Sequence, residues 1–129
     1  MRSRHVSVVI HRPPGEVYEF AADPENLTRW AAGLASAEVH RAGDLLVADS
    51  PTGPVRIAFV ERNAYGVLDH DVTTPVGTTT HNPLRVLAHP DGAEVLFTLR
   101  QLAMSDEELA RDEGLVAADL ERLRDLLER

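Results

Sequence analysis

Residues 34–101 run through six short apolar stretches, each closed by a turn signal, and beyond Ser105 the apolar spacing switches from every second residue to every third or fourth. The first spacing describes strands with one buried face, the second a helix with one buried stripe. Consecutive strands followed by one long helix are not the pattern of β-α-β crossovers. They imply an antiparallel meander with the helix laid across its apolar side.

The individual elements follow from the same reading. His5 to His11 alternates, with Val6, Val8 and Ile10 on one face, and Pro13-Pro14-Gly15 stops it. Glu16–Ala22 is a short helix with proline at its first turn and Val17, Phe20 and Ala21 inward. Asp23 caps a second helix that starts at Pro24 and runs to Trp30 or Ala32, with Gly33 ending it. The six strands are Leu34–Arg41, Leu45–Asp49, Val55–Glu61, Gly66–Val72, Thr78–His89 and Ala93–Gln101. Ser105 and Glu108 form a capping box. In the helix behind it, Leu109, Val116, Leu120, Leu123 and Leu127 share one stripe, which is expected to pack on Val95, Phe97 and Leu99.

With 129 residues the chain is expected to form one domain, residues 1–129. The absence of cysteine excludes disulfides, thiolate metal sites and a thiol nucleophile. Net charge is −8 and no basic stripe appears, so nucleic acid is not an expected partner. Residues 105–129 hold nine acids against four arginines, the pattern of a solvated helix face. No run approaches the roughly 20 apolar residues of a membrane span, and the apolar run Val8-Val9-Ile10 is cut short by His11-Arg12-Pro13-Pro14, unlike a signal peptide. A soluble, cytoplasmic protein is expected.

The opening Val8-Val9-Ile10-His11-Arg12-Pro13-Pro14-Gly15-Glu16-Val17-Tyr18-Glu19-Phe20 resembles the first strand and "P-x-E-V-[WYF]-x-[FY]" helix of the START-like, or SRPBCC, superfamily. Asp23-Pro24-Glu25-Asn26-Leu27-Thr28-Arg29-Trp30 is similar to its "D-P-E-x-[LM]-x-x-W" second helix. Gly66–His70, Asn82–Val86 and the Asp112 to Leu123 ending resemble a small actinobacterial-type subgroup of the same superfamily, which includes polyketide cyclases and lipid-transfer proteins. The resemblance implies an α+β helix-grip fold: a curved, seven-stranded antiparallel sheet, two short helices, and a long C-terminal helix enclosing a mostly apolar cavity.

Within that frame seven residues are candidates for ligand contact. His70 shares a face with Leu68 and Val72, so it points into the cavity if they do; otherwise it is a structural histidine. Trp30, at the end of the second helix, would sit near the entrance, and Phe20, Phe59 and Phe97 are either cavity lining or plain core. Asn82 would join them if alternation runs unbroken, although Asn82-Pro83 also marks a bend. Glu113 falls inside the apolar stripe of the last helix, where it reaches the cavity rim or pairs with a sheet arginine such as Arg85 or Arg100. Asp69 and Asp71 flank His70 and must point the other way. No metal-ligand spacing and no nucleophile elbow is present in the sequence, and no cofactor is expected.

Three functions fit. The first is binding of a small hydrophobic or aromatic molecule under the C-terminal helix. The second is a polyketide cyclase or dehydratase-like enzyme using His70. The third, a co-chaperone-like interaction domain, lacks an evident exposed apolar strip. A homodimer is left open.

Overall fold

A computed structural model describes residues 1–31 and 38–129. The element order is β1 (Ser3–Ile10), α1 (Pro14–Ala22), α2 (Pro24–Trp30), β2 (Val39–Ala42), β3 (Leu45–Ser50), β4 (Gly53–Phe59), β5 (His70–Thr73), β6 (Thr79–Asn82), β7 (Leu84–His89), β8 (Gly92–Arg100) and α3 (Asp106–Leu127). The expected strand start at Leu34 and the helix end at Ala32 and Gly33 lie outside the described residues.

Local chemistry explains the helix boundaries. Pro14 opens α1, where a missing N–H costs nothing, and the Asp23 carboxylate accepts from the Glu25 N–H to cap α2. Ser105 and Glu108 form the reciprocal capping box at the start of α3. The acidic first turn of α3, Asp106 to Glu108, also complements the helix dipole.

The fold is α+β, antiparallel throughout, with the long helix last. The strand count differs from the seven expected in one sheet. The described residues form eight strands in two sheets, ordered β1-β8-β7 and β2-β3-β4-β5-β6. Proline is the reason. Pro83 has no N–H for a ladder, so Thr78–His89 is broken there into two strands. β6 pairs with β5 in one sheet and β7 pairs with β8 in the other.

The segment before β5 bridges the same seam. Leu68 N–H donates to the Leu84 carbonyl at 2.8 Å and Val67 bridges Arg85, whereas from His70 onward the chain pairs with β4 and β6. Gly66 permits the close approach. Its φ is +74°, and a Cβ there would lie 2.2 Å from the Val86 carbonyl oxygen.

Asp69 sits at this crossover, buried. Its carboxylate accepts from the Leu84 N–H at 2.9 Å and from Arg85 through two bonds of 2.8 and 2.7 Å. Helix α3 packs against β1, β8 and α2, with Leu109, Leu120, Leu123 and Leu127 buried. The main core joins Ile10, Val17, Leu84, Val95, Leu120 and Leu123. No described helix is long and apolar enough to cross a membrane.

Candidate functional site

The five-stranded sheet and α3 do not close on each other completely. Between them lies a cavity of about 300 Å³, walled by Leu27 and Trp30 of α2, by Val116, Asp119 and Leu120 of α3, and by the inner faces of β3, β4 and β5. Phe97 from β8 closes the side toward the other sheet. Alternation selects the lining: Ala48 and Ser50 share one phase of β3, Val55, Ile57 and Phe59 one phase of β4, and His70 and Val72 one phase of β5. Asp49, out of phase with its neighbours and exposed, lies at the edge of the same void.

His70 is the polar group on the sheet wall between two aromatic rings. Phe59 lies 4.8 Å away, centroid to centroid, and Phe97 meets it edge-on at 6.0 Å. Its Nδ1 lies 3.0 Å from the Leu68 carbonyl oxygen. A carbonyl only accepts, so Nδ1 carries the proton and Nε2 of the neutral ring is an acceptor. Among the described residues no carboxylate hydrogen-bonds this imidazole. Asp69 is committed to Arg85, and Asp71 holds His81 Nδ1 at 2.7 Å.

Burial drives the His70 pKa below its ordinary 6.5, outweighing the Leu68 hydrogen bond that favours the charged form. The folded protein therefore resists a proton that the unfolded chain accepts. The stability His70 contributes is complete above about pH 6.5 and falls away as pH drops through the lower folded value. Urea midpoints between pH 7.5 and 5 should fall less steeply in His70→Phe than in the wild type. Equal slopes would show that the histidine stays solvated.

Helix α3 brings the second polar group. Asp119 faces the void and pairs with Arg122, whose Nε donates to the Trp30 main-chain carbonyl at 3.1 Å. That clamp ties the end of α2 to α3. The Trp30 side chain is 5% exposed, and its indole Nε1 meets no acceptor among the described residues. Ser50 Oγ is 2.6 Å from the Gly53 carbonyl oxygen, which takes its hydroxyl proton.

Four of the seven candidate residues, His70, Trp30, Phe59 and Phe97, border this cavity. Three do not. Phe20 is on α1, half-buried under the Arg29 guanidinium at 5.5 Å, and α2 rather than α1 lines the void. Asn82 stands opposite His70 in the β5–β6 register, but Pro83 turns the chain into the other sheet there and Asn82 does not reach the void. Glu113 pairs with Arg4 of β1 at 3.8 Å, because α3 crosses β1 at that turn; Arg85 is held by Asp69 instead. Ser50 and Asp119 escaped sequence reasoning. The signals were available: Ser50 is in phase with Leu46 and Ala48, and Asp119 lies one turn from Val116 beside Leu120.

The fold recurs in solved structures. The Aha1 dimer from Colwellia psychrerythraea superposes with a TM-score of 0.79 at 15% identity, covering 99% of this chain and 97% of that one. Protein MLL2253 from Mesorhizobium loti gives 0.76 at 13% identity, over 99% and 98%. DynU16, from the dynemicin biosynthetic locus, gives 0.75 at 17% identity and 98% of this chain, which spans about half of DynU16, 47%. The likeness shows that this chain shares their fold, α+β with antiparallel sheets and a long C-terminal helix. No family model and no curated protein matches the sequence.

Proposed function

We propose that this protein binds a small, mainly hydrophobic or aromatic molecule in the cavity beneath α3. The observation that carries the reading is a void of about 300 Å³ with apolar walls and a single aromatic-flanked imidazole. That volume lies at the small end of ligand pockets, which place few polar groups in an apolar lining. The subgroup resemblance of Gly66–His70 and Asn82–Val86 is compatible with it. His70, Trp30, Phe59 and Phe97 are the contact residues.

The cyclase-like alternative draws on one observation, an unprotonated Nε2 inside an apolar cavity, where a general base would stand. The biosynthetic locus of DynU16 is compatible with it. The binding reading is preferred because a main-chain carbonyl, and no carboxylate, orients the ring. An imidazolium formed during catalysis would have no carboxylate hydrogen-bonded to it among the described residues, only the more distant charges of Asp69 and Asp71.

The test uses the sole tryptophan, Trp30, as an energy donor to prodan, a neutral naphthalene dye. Saturable transfer with a blue-shifted dye emission is expected. Ala48→Leu, which fills part of the void, should weaken binding at least about fivefold, as a clash worth ~1 kcal/mol would. Unsaturable transfer, or an unchanged affinity in Ala48→Leu, would remove this cavity as the site.

A further inference from the structure

We infer that the cavity, taken as the ligand site proposed above, selects an uncharged ligand that offers a hydrogen-bond donor, a phenol or alcohol on an apolar ring system, and rejects carboxylates. The inference follows from the hydrogen-bond roles still open on the walls. His70 Nδ1–H is used by the Leu68 carbonyl, so Nε2 presents a lone pair. Nε2 has no hydrogen-bond partner among the described residues and is not sealed from solvent, and His70 lines the void. Ser50 has given its one hydroxyl proton to Gly53 and faces the void with lone pairs only. Asp119 also borders the void, but its carboxylate is already engaged, by Arg122 among others, and is not one of these open acceptors.

Free donors are missing from the walls that the described residues form. The Trp30 indole N–H is sealed off from the void, and no arginine borders the cavity among the described residues. Against the described residues a ligand carboxylate would therefore meet lone pairs with no cation lining the void to receive it, and it would lose its hydration. A hydroxyl, in contrast, gives its proton to His70 Nε2 while its ring lies against Phe59 and Phe97. Burial keeps this imidazole neutral at pH 7, which preserves the acceptor.

The experiment compares three ligands of one shape: 2-naphthol, 2-methoxynaphthalene and 2-naphthoate. Calorimetry at pH 7.5 gives affinity, and the single indole ¹H–¹⁵N signal of Trp30 reports the location. The naphthol should bind about tenfold more tightly than its methyl ether, the usual scale of leaving one buried acceptor unpaired, and the naphthoate should bind weakest. In His70→Phe, which keeps the ring volume and removes the acceptor, naphthol and ether should bind equally. Equal affinities of naphthol and ether in the wild type, or a naphthoate that matches the naphthol, would overturn donor selection while leaving the cavity as a ligand site. A Trp30 signal unmoved by all three would remove the site and this inference together.

Discussion

Leu123→Ala should destabilise the protein by about 2–5 kcal/mol, measured as the loss in unfolding free energy in urea. Leu123 is 0% exposed and belongs to the main core, on the face of α3 that meets the sheet. Removing its methyl groups leaves a void that α3 can close only by shifting along the sheet. Leu120 is almost as buried but borders the cavity, where a ligand or solvent could occupy vacated space, so Leu123 is the cleaner test. Leu115→Ala, on the exposed back of the same helix at 54% exposure, should change stability by less than about 0.5 kcal/mol. A loss below about 1 kcal/mol for Leu123→Ala would mean that α3 is not docked as described.

Asp69→Ala should cost about 2–3 kcal/mol. Breaking a buried ion pair costs ~3–5 kcal/mol, and the lower range applies because the Arg85 side chain is 45% exposed and can be hydrated once freed. The Leu84 N–H, left without its acceptor, carries much of the loss. The Arg85 hydrogen bonds hold the Asp69 pKa below its ordinary 3.8 against the opposing effect of burial. The folded state thus keeps this carboxylate ionised where the unfolded chain protonates it. Its contribution is complete above about pH 4 and is lost as pH falls further through the lowered folded value. Asp69→Asn should therefore flatten the acid end of the stability curve. Acid unfolding of equal steepness in wild type and Asp69→Asn would show that the pair does not join the two sheets.

Much of this is legible in the sequence. The α3 stripe and its capping box are local statements: residues four apart on a helix meet whatever surrounds them. The same holds for Asp23 and Pro24 at the start of α2. His70 was readable through strand alternation, since Leu68 and Val72 need an apolar side and place His70 on it. Phe20 and Glu113 lie away from this cavity for a different reason. Each lies on the inner face of its own helix, but an inner face meets the cavity only if that helix turn does. α1 is separated from the void, and α3 passes Arg4 of β1 before reaching it.

What the sequence determined by itself is therefore the three helices and the caps of the last two, the antiparallel class and the face taken by residues within an unbroken strand, because these depend on neighbours within a few positions. Only the tertiary structure decided where the sheet divides and what fills the seam. Pro83 announces a break, yet the partner of each half is set by pairing between segments far apart along the chain. The crossover then gathers Asp69, Leu84 and Arg85 into one buried cluster. It likewise took the packing of α2, α3 and the sheet to combine Trp30, Ser50, His70 and Asp119 around one void. The open hydrogen-bond roles there depend on carbonyls at Leu68 and Gly53 that every residue possesses, and only their placement in space makes those carbonyls informative.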